Sequence, residues 1–252
     1  MTINLPNLIG HRGAKDLAPE NTIPSIEESV RHNLKWIEVD VKISKDNIPF
    51  LLHDDLLDRT TSGKGFPYKL AYGEIKNLDA GSWFNPKFNQ LYPPTLQEVL
   101  ELCSRKNIGV NIELKPNAGR EKQNINAINN LFKKNKFNCQ YYFSSFDFFS
   151  LKLMRKIMPK AFLGFLINDL KDKKDFIKIM KDCIKLKCFS LGFNIKLINK
   201  KIIQICQENK FKILVFSDKN IFITEALKLW NLGVDSVFVD NPVNYKKIIN
   251  NL

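Results

Sequence analysis

Two carboxylates interrupt an apolar stretch of the sequence, Glu38 and Asp40 within residues 36–41. The other residues there are aromatic or β-branched, which predicts a buried strand. Alternate side chains of a strand point to one face, so both carboxylates lie on the same side, about 7 Å apart. Burying two like charges is costly unless a cation lies between them. The pair therefore indicates a site for a hard divalent metal, with a solvent-facing strand edge as the alternative.

Two of the three histidines, His11 and His53, end predicted strands at residues 8–11 and 48–53. The third, His32, falls late in a short predicted helix, which indicates a surface position. Because the carboxyl ends of barrel strands converge, we expect His11 and His53 beside the two acids. Such histidines bind metals or exchange protons. With carboxylates available for the metal, the sequence favours acid–base catalysis.

A second alternating pair, Glu113 and Lys115, ends the predicted strand 108–115. Glu113 would complete a three-carboxylate metal site, and Lys115 together with Arg12 would hold a phosphate oxygen. A structural Glu–Lys ion pair is the alternative. The whole set suits phosphodiester cleavage, because the metal and the cations neutralise the transition state. One histidine would accept a proton from the attacking oxygen while the other protonates the leaving alcohol.

Alternating strand and helix patterns predict the elements that position these residues. The predicted strands are residues 8–11, 36–41, 48–53, 108–115, 141–144, 162–167, 189–193, 212–216 and 236–239. The predicted helices are residues 23–32, 95–106, 122–134, 148–158, 172–185, 200–208, 221–230 and 245–249. Eight strand–helix units over 252 residues favour a (β/α)8 TIM barrel. The extra strand 48–53 returns as a hairpin, since the 42–47 linker is too short for a helical crossover.

Residues 54–94 show only weak periodicity and are predicted to form a small insertion over the barrel mouth. A loop of this length in a compact domain is more often functional than accidental. We therefore expect residues 1–252 to form a single domain. Thr95 and Glu98 have the spacing of a capping box, which predicts where the next helix begins.

Composition limits the class of protein. No run of 18 apolar residues occurs, and the N-terminus lacks the features of a signal peptide, so neither stable membrane insertion nor secretion is expected. Five scattered cysteines without a Cys-x-x-Cys motif are typical of a reduced, cytoplasmic protein. The net charge of +13 is spread over predicted helix surfaces, which favours a solvated surface over nucleic-acid binding. Motifs of serine hydrolases, P-loop nucleotide hydrolases and dehydrogenases are absent.

The chain resembles the glycerophosphodiester phosphodiesterase family over nearly its whole length, in motifs that follow the family's order. The matching strings are His11-Arg12-Gly13, Pro19-Glu20-Asn21-Thr22, Ile37-Glu38-Val39-Asp40-Val41, His53-Asp54, Arg59-Thr60-Thr61-Ser62-Gly63, Ala80-Gly81-Ser82-Trp83-Phe84, Pro94-Thr95-Leu96-Gln97-Glu98-Val99-Leu100, Ile112-Glu113-Leu114-Lys115, Ser144-Ser145-Phe146-Asp147, Gly233-Val234-Asp235 and Asp240-Asn241-Pro242. The first string followed by Pro-Glu-Asn-Thr is highly specific, whereas Ser-Ser-Phe-Asp alone is weak.

The resemblance implies a barrel of the phospholipase C-like phosphodiesterase type that hydrolyses glycerophosphodiesters to sn-glycerol 3-phosphate and an alcohol. By position it implies that His11 and His53 are the catalytic pair. The insertion at 54–94 would cover the glycerol end of the site. The resemblance also implies that Glu38, Asp40 and Glu113 bind Mg²⁺ or Ca²⁺. Arg12 and Lys115 would contact the phosphate. Glu20 and Asn21 would brace the loop behind His11.

One position departs from the family pattern. The family usually has Trp-Thr at the rim near the penultimate strand, whereas this chain has Phe216-Ser217. Phe216 would still form an aromatic wall for the substrate, but it lacks the indole N–H donor. The departure leaves the head-group alcohol open. Two other functions also stay open, a phospholipase D-like action on lysophospholipids or sphingolipids and a non-enzymatic phosphoanion-binding barrel. The sequence also leaves open the oligomeric state, which is a monomer or a homodimer. It does not decide whether a glycerol hydroxyl or water attacks the phosphate first.

Overall fold

A computed structural model describes residues 3–248 of the chain. Its strands are β1 (Leu8–Gly10), β2 (Trp36–Ile43), β3 (Pro49–Leu51), β4 (Gly109–Leu114), β5 (Tyr141–Ser145), β6 (Leu163–Ile167), β7 (Ser190–Asn194), β8 (Lys212–Phe216) and β9 (Ser236–Val239). Its helices are α1 (Ile23–Arg31), α2 (Tyr72–Ile75), α3 (Leu96–Lys106), α4 (Glu121–Lys134), α5 (Phe148–Ile157), α6 (Lys173–Lys185), α7 (Lys200–Glu208) and α8 (Ile223–Leu232).

Eight of the strands are parallel and close into a barrel. β1 pairs with β9 on one side and with β2 on the other, through Gly10 opposite Val239 and Ile37. The remaining parallel strands follow in chain order from β4 to β9. β3 is antiparallel to β2 and lies outside the barrel wall. The (β/α)8 barrel and the hairpin are therefore confirmed.

Most predicted elements are observed with bounds shifted by no more than two residues, but the hairpin strand is half as long as predicted and the last helix is replaced by a turn. The hairpin strand is shorter than residues 48–53, because Pro49 has no N–H to donate and Leu51 donates instead to the carbonyl of Pro94 at 2.9 Å. His53 therefore lies two residues beyond the strand. The predicted last helix, 245–249, is a 3₁₀ turn over Pro242–Tyr245; Ile249 lies outside the described residues.

Strand alternation separates the barrel interior from the layer under the helices. The interior floor holds Ile9, Trp36, Tyr142, Leu214 and Phe238, one side chain from each of five strands. A much larger apolar cluster fills the space between the strands and the helices. Because that floor is filled by side chains, a ligand can enter only from the mouth, where the strands end.

The insertion between β3 and α3 has a small core of its own. Phe50 and Leu52 of the hairpin pack there with Leu57 and Ile75, and no regular strand occurs in residues 54–94. The Thr95–Glu98 capping box is present: Thr95 Oγ1 accepts from Glu98 N at 3.1 Å, and Glu98 Oε2 accepts from Thr95 N at 2.8 Å. Within residues 3–248 no helix combines the length and apolarity needed to cross a membrane.

Candidate active site

The turn after β1 brings His11 against β2. Arg12 has a left-handed backbone with φ of 51°, an unfavourable conformation for a side chain other than glycine. Gly13 follows with φ of 82°, and a Cβ there would lie 2.6 Å from the backbone of Ser25. In this turn the backbone N–H of Arg12 donates to Glu38 Oε2 at 3.0 Å. This hydrogen bond holds the strained turn against the acidic residues of β2.

Glu38, Asp40 and Glu113 form one buried cluster. Asp40 is the register partner of Glu113 on the neighbouring strand, and carboxylate oxygens of all three lie within 4.8 Å of one another. Burial and the adjacent charges of Asp40 and Glu113 raise the pKa of Glu38 well above its usual value. Burial also raises the pKa of Glu113. Burial alone would raise the pKa of Asp40, but the charges of Lys115 and Arg12 lower it.

Two cations face this cluster. Lys115 Nζ lies 3.0 Å from Glu113 Oε1 and 3.2 Å from Asp40 Oδ1. Arg12 Nε lies 3.3 Å from Asp40 Oδ2. The Glu113–Lys115 ion pair expected as the structural alternative is thus present, but it is part of a larger network at the cavity rather than an isolated pair.

The cluster fits a divalent metal ion. Glu38 Oε1 is buried and accepts no hydrogen bond from any residue between 3 and 248. Burial, together with repulsion from Asp40 and Glu113, raises the pKa of Glu38, and a bound cation would counteract both effects. Lys115 already supplies one positive charge between Asp40 and Glu113, yet leaves Glu38 without one. Three carboxylates, one of which has an oxygen that accepts no hydrogen bond, are a donor set that Mg²⁺ or Ca²⁺ prefers.

His11 is held by Asp240, which follows the last barrel strand. Its Nδ1–H donates to Asp240 Oδ1 at 2.7 Å, and Lys15 Nζ lies 2.9 Å from Asp240 Oδ2. With Nδ1 engaged, Nε2 is free and lies 4.0 Å from Glu38 Oε2. Burial lowers the pKa of His11, although Asp240 opposes the shift. The imidazole is therefore neutral near pH 7 and is able to accept a proton at Nε2.

His53 is held in the same way from the insertion. Its Nδ1–H donates to Asp54 Oδ1 at 2.7 Å, and Arg59 binds both oxygens of Asp54 at 2.7 and 2.8 Å. Burial lowers the pKa of His53, and the nearby charge of Asp40 opposes the shift. Both histidines thus present Nε2 to the substrate side, each fixed by a carboxylate that is itself bound to a cation.

Glu20 and Asn21 hold neighbouring residues of the site in place. Asn21 exchanges two hydrogen bonds with Asp40, donating from Nδ2 at 2.8 Å and accepting from the Asp40 backbone N–H at 3.1 Å. Glu20 accepts from Arg12 at 2.8 Å and from two nitrogens of Arg59 at 2.7 and 3.0 Å. These hydrogen bonds fix the positions of Asp40, Arg12 and Arg59 relative to one another. Glu20 also joins Arg12 to the insertion through Arg59.

One cavity of about 580 Å³ collects these groups at the barrel mouth. Among the predicted site residues, those lining it are His11, Arg12, Glu20, Glu38, His53, Glu113, Lys115 and Phe216. Asp40 and Asn21 are buried and do not line it. The far wall is formed by Phe146, Asn168, Ser217 and Asp218.

The sequence interpretation missed several residues of this cavity. Asp240 and Asp54 fix the two histidines, although neither was assigned to the site. The signal existed: Asp240 follows the last strand as His11 follows the first, and Asp54 is adjacent to His53. Asn111 was also missed; the residue lines the cavity, and its buried Nδ2 has no acceptor in the described part of the chain.

Comparison with known proteins agrees with this geometry. A sequence profile of the Glycerophosphoryl diester phosphodiesterase family matches residues 11–244. The chain belongs to this family. The glycerophosphodiester phosphodiesterase of Caldanaerobacter subterraneus subsp. tengcongensis is 32% identical over 243 residues, which cover 93% of this chain and 94% of the relative. That of Bacillus altitudinis is 30% identical over 249 residues, covering 97% and 98%.

One solved structure is closely similar to this member of the glycerophosphoryl diester phosphodiesterase family. It is a phosphodiesterase from Oleispira antarctica in complex with the product sn-glycerol-3-phosphate. The two folds agree with a TM-score of 0.89 at 33% sequence identity, over 98% of each chain. The family resemblance expected from the motifs is therefore confirmed.

Proposed function

We propose that the protein is a metal-dependent glycerophosphodiester phosphodiesterase that releases sn-glycerol 3-phosphate and an alcohol. The observation that carries this proposal is the arrangement of His11 and His53 around one cavity with three clustered carboxylates. Each histidine has Nδ1 bound to an aspartate and Nε2 free. Such a pair transfers protons at two points of one phosphodiester.

Each group has a defined task in this proposal. Glu38, Asp40 and Glu113 would hold Mg²⁺ or Ca²⁺, and the bound ion supplies positive charge that stabilises the charge developing on phosphate. Arg12 and Lys115 face the same cavity and would bind the non-bridging phosphate oxygens. His11 and His53 would serve as the general base and the general acid, so the leaving alcohol departs protonated.

We further propose that the barrel and its 54–94 insertion act as one domain in the cytoplasm. The insertion contributes Arg59 to the cavity and is joined to the barrel through the Arg59–Glu20–Arg12 contacts. The five cysteines are free and buried, a state that a reducing compartment maintains.

The first test removes the metal site. Glu38→Gln keeps the side-chain shape but removes a ligand charge, and we expect hydrolysis of glycerophosphodiesters to fall by at least about a hundredfold. EDTA should abolish wild-type activity, and Mg²⁺ or Ca²⁺ should restore it. The same ions should raise the melting temperature of the wild type but not of Glu38→Gln.

The control for this test is Glu27→Gln on α1, whose side chain is exposed to solvent. It should retain both activity and the metal-dependent rise in melting temperature. Full activity of a chelated, metal-free sample would contradict the metal role. Turnover of lysophosphatidylcholine but not of glycerophosphocholine would favour the phospholipase D-like alternative, and no turnover of either would favour the phosphoanion-binding barrel.

A further inference from the structure

The outer face of α6 combines exposed lysines with exposed isoleucines. A groove of about 580 Å³ lies on this face and is formed by α6 alone. Besides Asp182, its lining consists of four lysines and two isoleucines, namely Lys174, Lys178, Lys181, Lys185, Ile177 and Ile184. Ile177 is 42% exposed and Ile184 is 49% exposed. The opposite face of the same helix is buried in the core through Phe176, Met180 and Cys183.

Helical spacing arranges these side chains in two neighbouring rows. The four lysines follow one another at intervals of four, three and four residues, so they form one continuous row, the lysine row. Ile177 and Ile184 are seven residues apart, which is two helical turns, and they lie next to the lysine row. Single exposed apolar residues are ordinary on a protein surface. A solvated helix face accounts for the lysines, but it does not account for two aligned isoleucines beside them.

Neighbouring acids do not neutralise the lysine row. None of its four lysines belongs to an ion pair in residues 3–248. The two acids at the start of α6 are engaged by the backbone: Asp172 accepts from Asp175 N at 2.9 Å, and Asp175 accepts from Lys171 N at 3.2 Å. Asp182 is the one acid among the residues that line the groove. The face therefore carries a net positive charge next to apolar surface.

We propose that the lysine row, together with Ile177 and Ile184, docks the protein reversibly on the surface of a bilayer that contains anionic phospholipids. The lysines attract the negatively charged head groups. Their aliphatic stems and the two isoleucines enter the boundary between head groups and acyl chains. A nucleic acid backbone would use the lysines but offers the isoleucines no apolar partner. This docking is independent of the proposed reaction.

Co-sedimentation with lipid vesicles tests the docking. We expect the wild type to bind phosphatidylcholine vesicles that contain about 30% phosphatidylglycerol at least about tenfold more tightly than vesicles of phosphatidylcholine alone. Raising the salt concentration from about 0.05 M to about 0.5 M should remove most of this binding, because the attraction is electrostatic.

Two double variants separate the charge from the apolar contact. Lys178→Gln with Lys181→Gln should weaken binding to the anionic vesicles at least about tenfold, since each lysine near a charged surface contributes roughly fivefold. Ile177→Gln with Ile184→Gln keeps the charge and should weaken binding about tenfold. Neither pair lines the cavity at the barrel mouth, so hydrolysis of a soluble glycerophosphodiester should stay unchanged.

Matched control pairs lie on two other helices. Lys133→Gln with Lys134→Gln removes the same charge from the end of α4, and no large apolar side chain is exposed within residues 121–134. Leu227→Gln with Leu232→Gln removes two exposed apolar side chains from α8, which carries a single lysine. Both control pairs should keep vesicle binding within about twofold of the wild type.

Three results would overturn the docking face. The first is equal binding of the wild type to both kinds of vesicle, and the second is a loss of binding in the control pairs as large as in the α6 variants. The third is wild-type binding by the isoleucine variant alongside weak binding by the lysine variant, which would favour a surface for nucleic acids or other polyanions. Failure of the proposed reaction would leave all of these measurements interpretable.

Discussion

At the scale of single residues, His11 and His53 share one construction although they come from different parts of the chain. In each, an aspartate accepts the Nδ1–H and a cation holds that aspartate, Lys15 for Asp240 and Arg59 for Asp54. The aspartate fixes the ring orientation and the tautomer, so Nε2 is the nitrogen presented to substrate. We therefore propose that Asp240 and Asp54 are positioning residues, which would act on the reaction through the histidines.

This construction makes Asp240→Asn a test of positioning. An asparagine keeps the size but presents the wrong donor or a weaker acceptor to Nδ1, so we expect kcat to fall by about a hundredfold. Asp240 raises the pKa of His11 against burial. Its loss lowers that pKa further, and the limb of the pH–rate profile that His11 controls moves to lower pH, whether His11 acts as base or acid.

Asp235→Asn is the matched control for that prediction. Asp235 is paired with Lys212 at 2.6 Å immediately before β9, at the end of the strand away from the mouth. Its variant should lose some stability but keep the pH–rate profile. An unchanged pH profile in Asp240→Asn would leave Asp240 with a structural role only.

The site was predictable as far as it depends on strand alternation and strand ends. Glu38, Asp40 and Glu113 share one face because strands alternate, and the structure brings them within 4.8 Å. The place of Asp240 at the mouth was predictable from the end of the last strand, but its hydrogen bond to His11 was not, because that contact depends on how the last strand closes on the first. Arg59 was missed for a similar reason: its contacts with Asp54 and Glu20 depend on the path of an irregular insertion.

At the scale of elements, the start of α3 supports the hairpin that leads to His53. Thr95 caps α3 and also forms a bridge with Phe50 of β3. We expect Thr95→Ala to lower the free energy of unfolding by about 1 kcal/mol, because a capping hydrogen bond is lost. We also expect kcat to fall severalfold, since β3 precedes His53. Chemical denaturation and steady-state kinetics measure the two effects.

Asn199→Ala is the control for this effect. Asn199 caps α7, its side chain accepting from Ile202 N at 3.1 Å, and α7 does not precede a proposed catalytic residue. It should cost similar stability and leave kcat unchanged. Equal kcat in both variants would show that the hairpin does not need the α3 cap to place His53.

The same cap predicts a dependence of stability on pH. Burial opposes ionisation of Glu98, but hydrogen bonds from Thr95 and Tyr92 lower its pKa below the ordinary value of 4.5. The ionised form is thus favoured by folding, and its contribution is present above pH 4.5 and disappears as pH falls through the lowered pKa. The wild type should exceed Glu98→Gln in unfolding free energy at pH 6, and the difference should vanish in acid. A difference that persists in acid would exclude the charge as its cause.

Regular elements were predictable, and irregular ones were not. The predicted bounds of β8, β9 and α7 agree with the structure, because their periodicity and flanking residues are clear. The short helix α2 inside the insertion was not predicted. It has only four residues, and contacts of Ile75 with the hairpin stabilise it rather than its own sequence pattern.

At the scale of the whole molecule, the net charge of +13 attracts anions over a distance that salt controls. We expect kcat/KM for a net-anionic substrate, glycerophosphoglycerol, to fall severalfold as ionic strength rises from about 0.01 M to about 0.15 M. The zwitterion glycerophosphocholine should respond less, because its ammonium group cancels the net charge. Equal salt dependence for the two substrates would exclude long-range steering by the protein.

The barrel itself was the most predictable level of the structure. Repeated strand–helix units require a parallel sheet, and eight of them at this length close into a barrel. The charge and shape of the barrel mouth were harder to predict, because they depend on which side chains meet at the ends of eight strands. Asp218 and Phe146, for example, are far apart in sequence and line the same cavity.

The hydrogen bond between His11 and Asp240 joins residues 229 positions apart. During translation Asp240 therefore leaves the ribosome 229 residues after His11. A polypeptide that stops anywhere between them contains Glu38, Asp40, Glu113 and both imidazoles if it extends past Glu113, but it lacks the carboxylate that orients His11. We expect such truncated chains to be inactive.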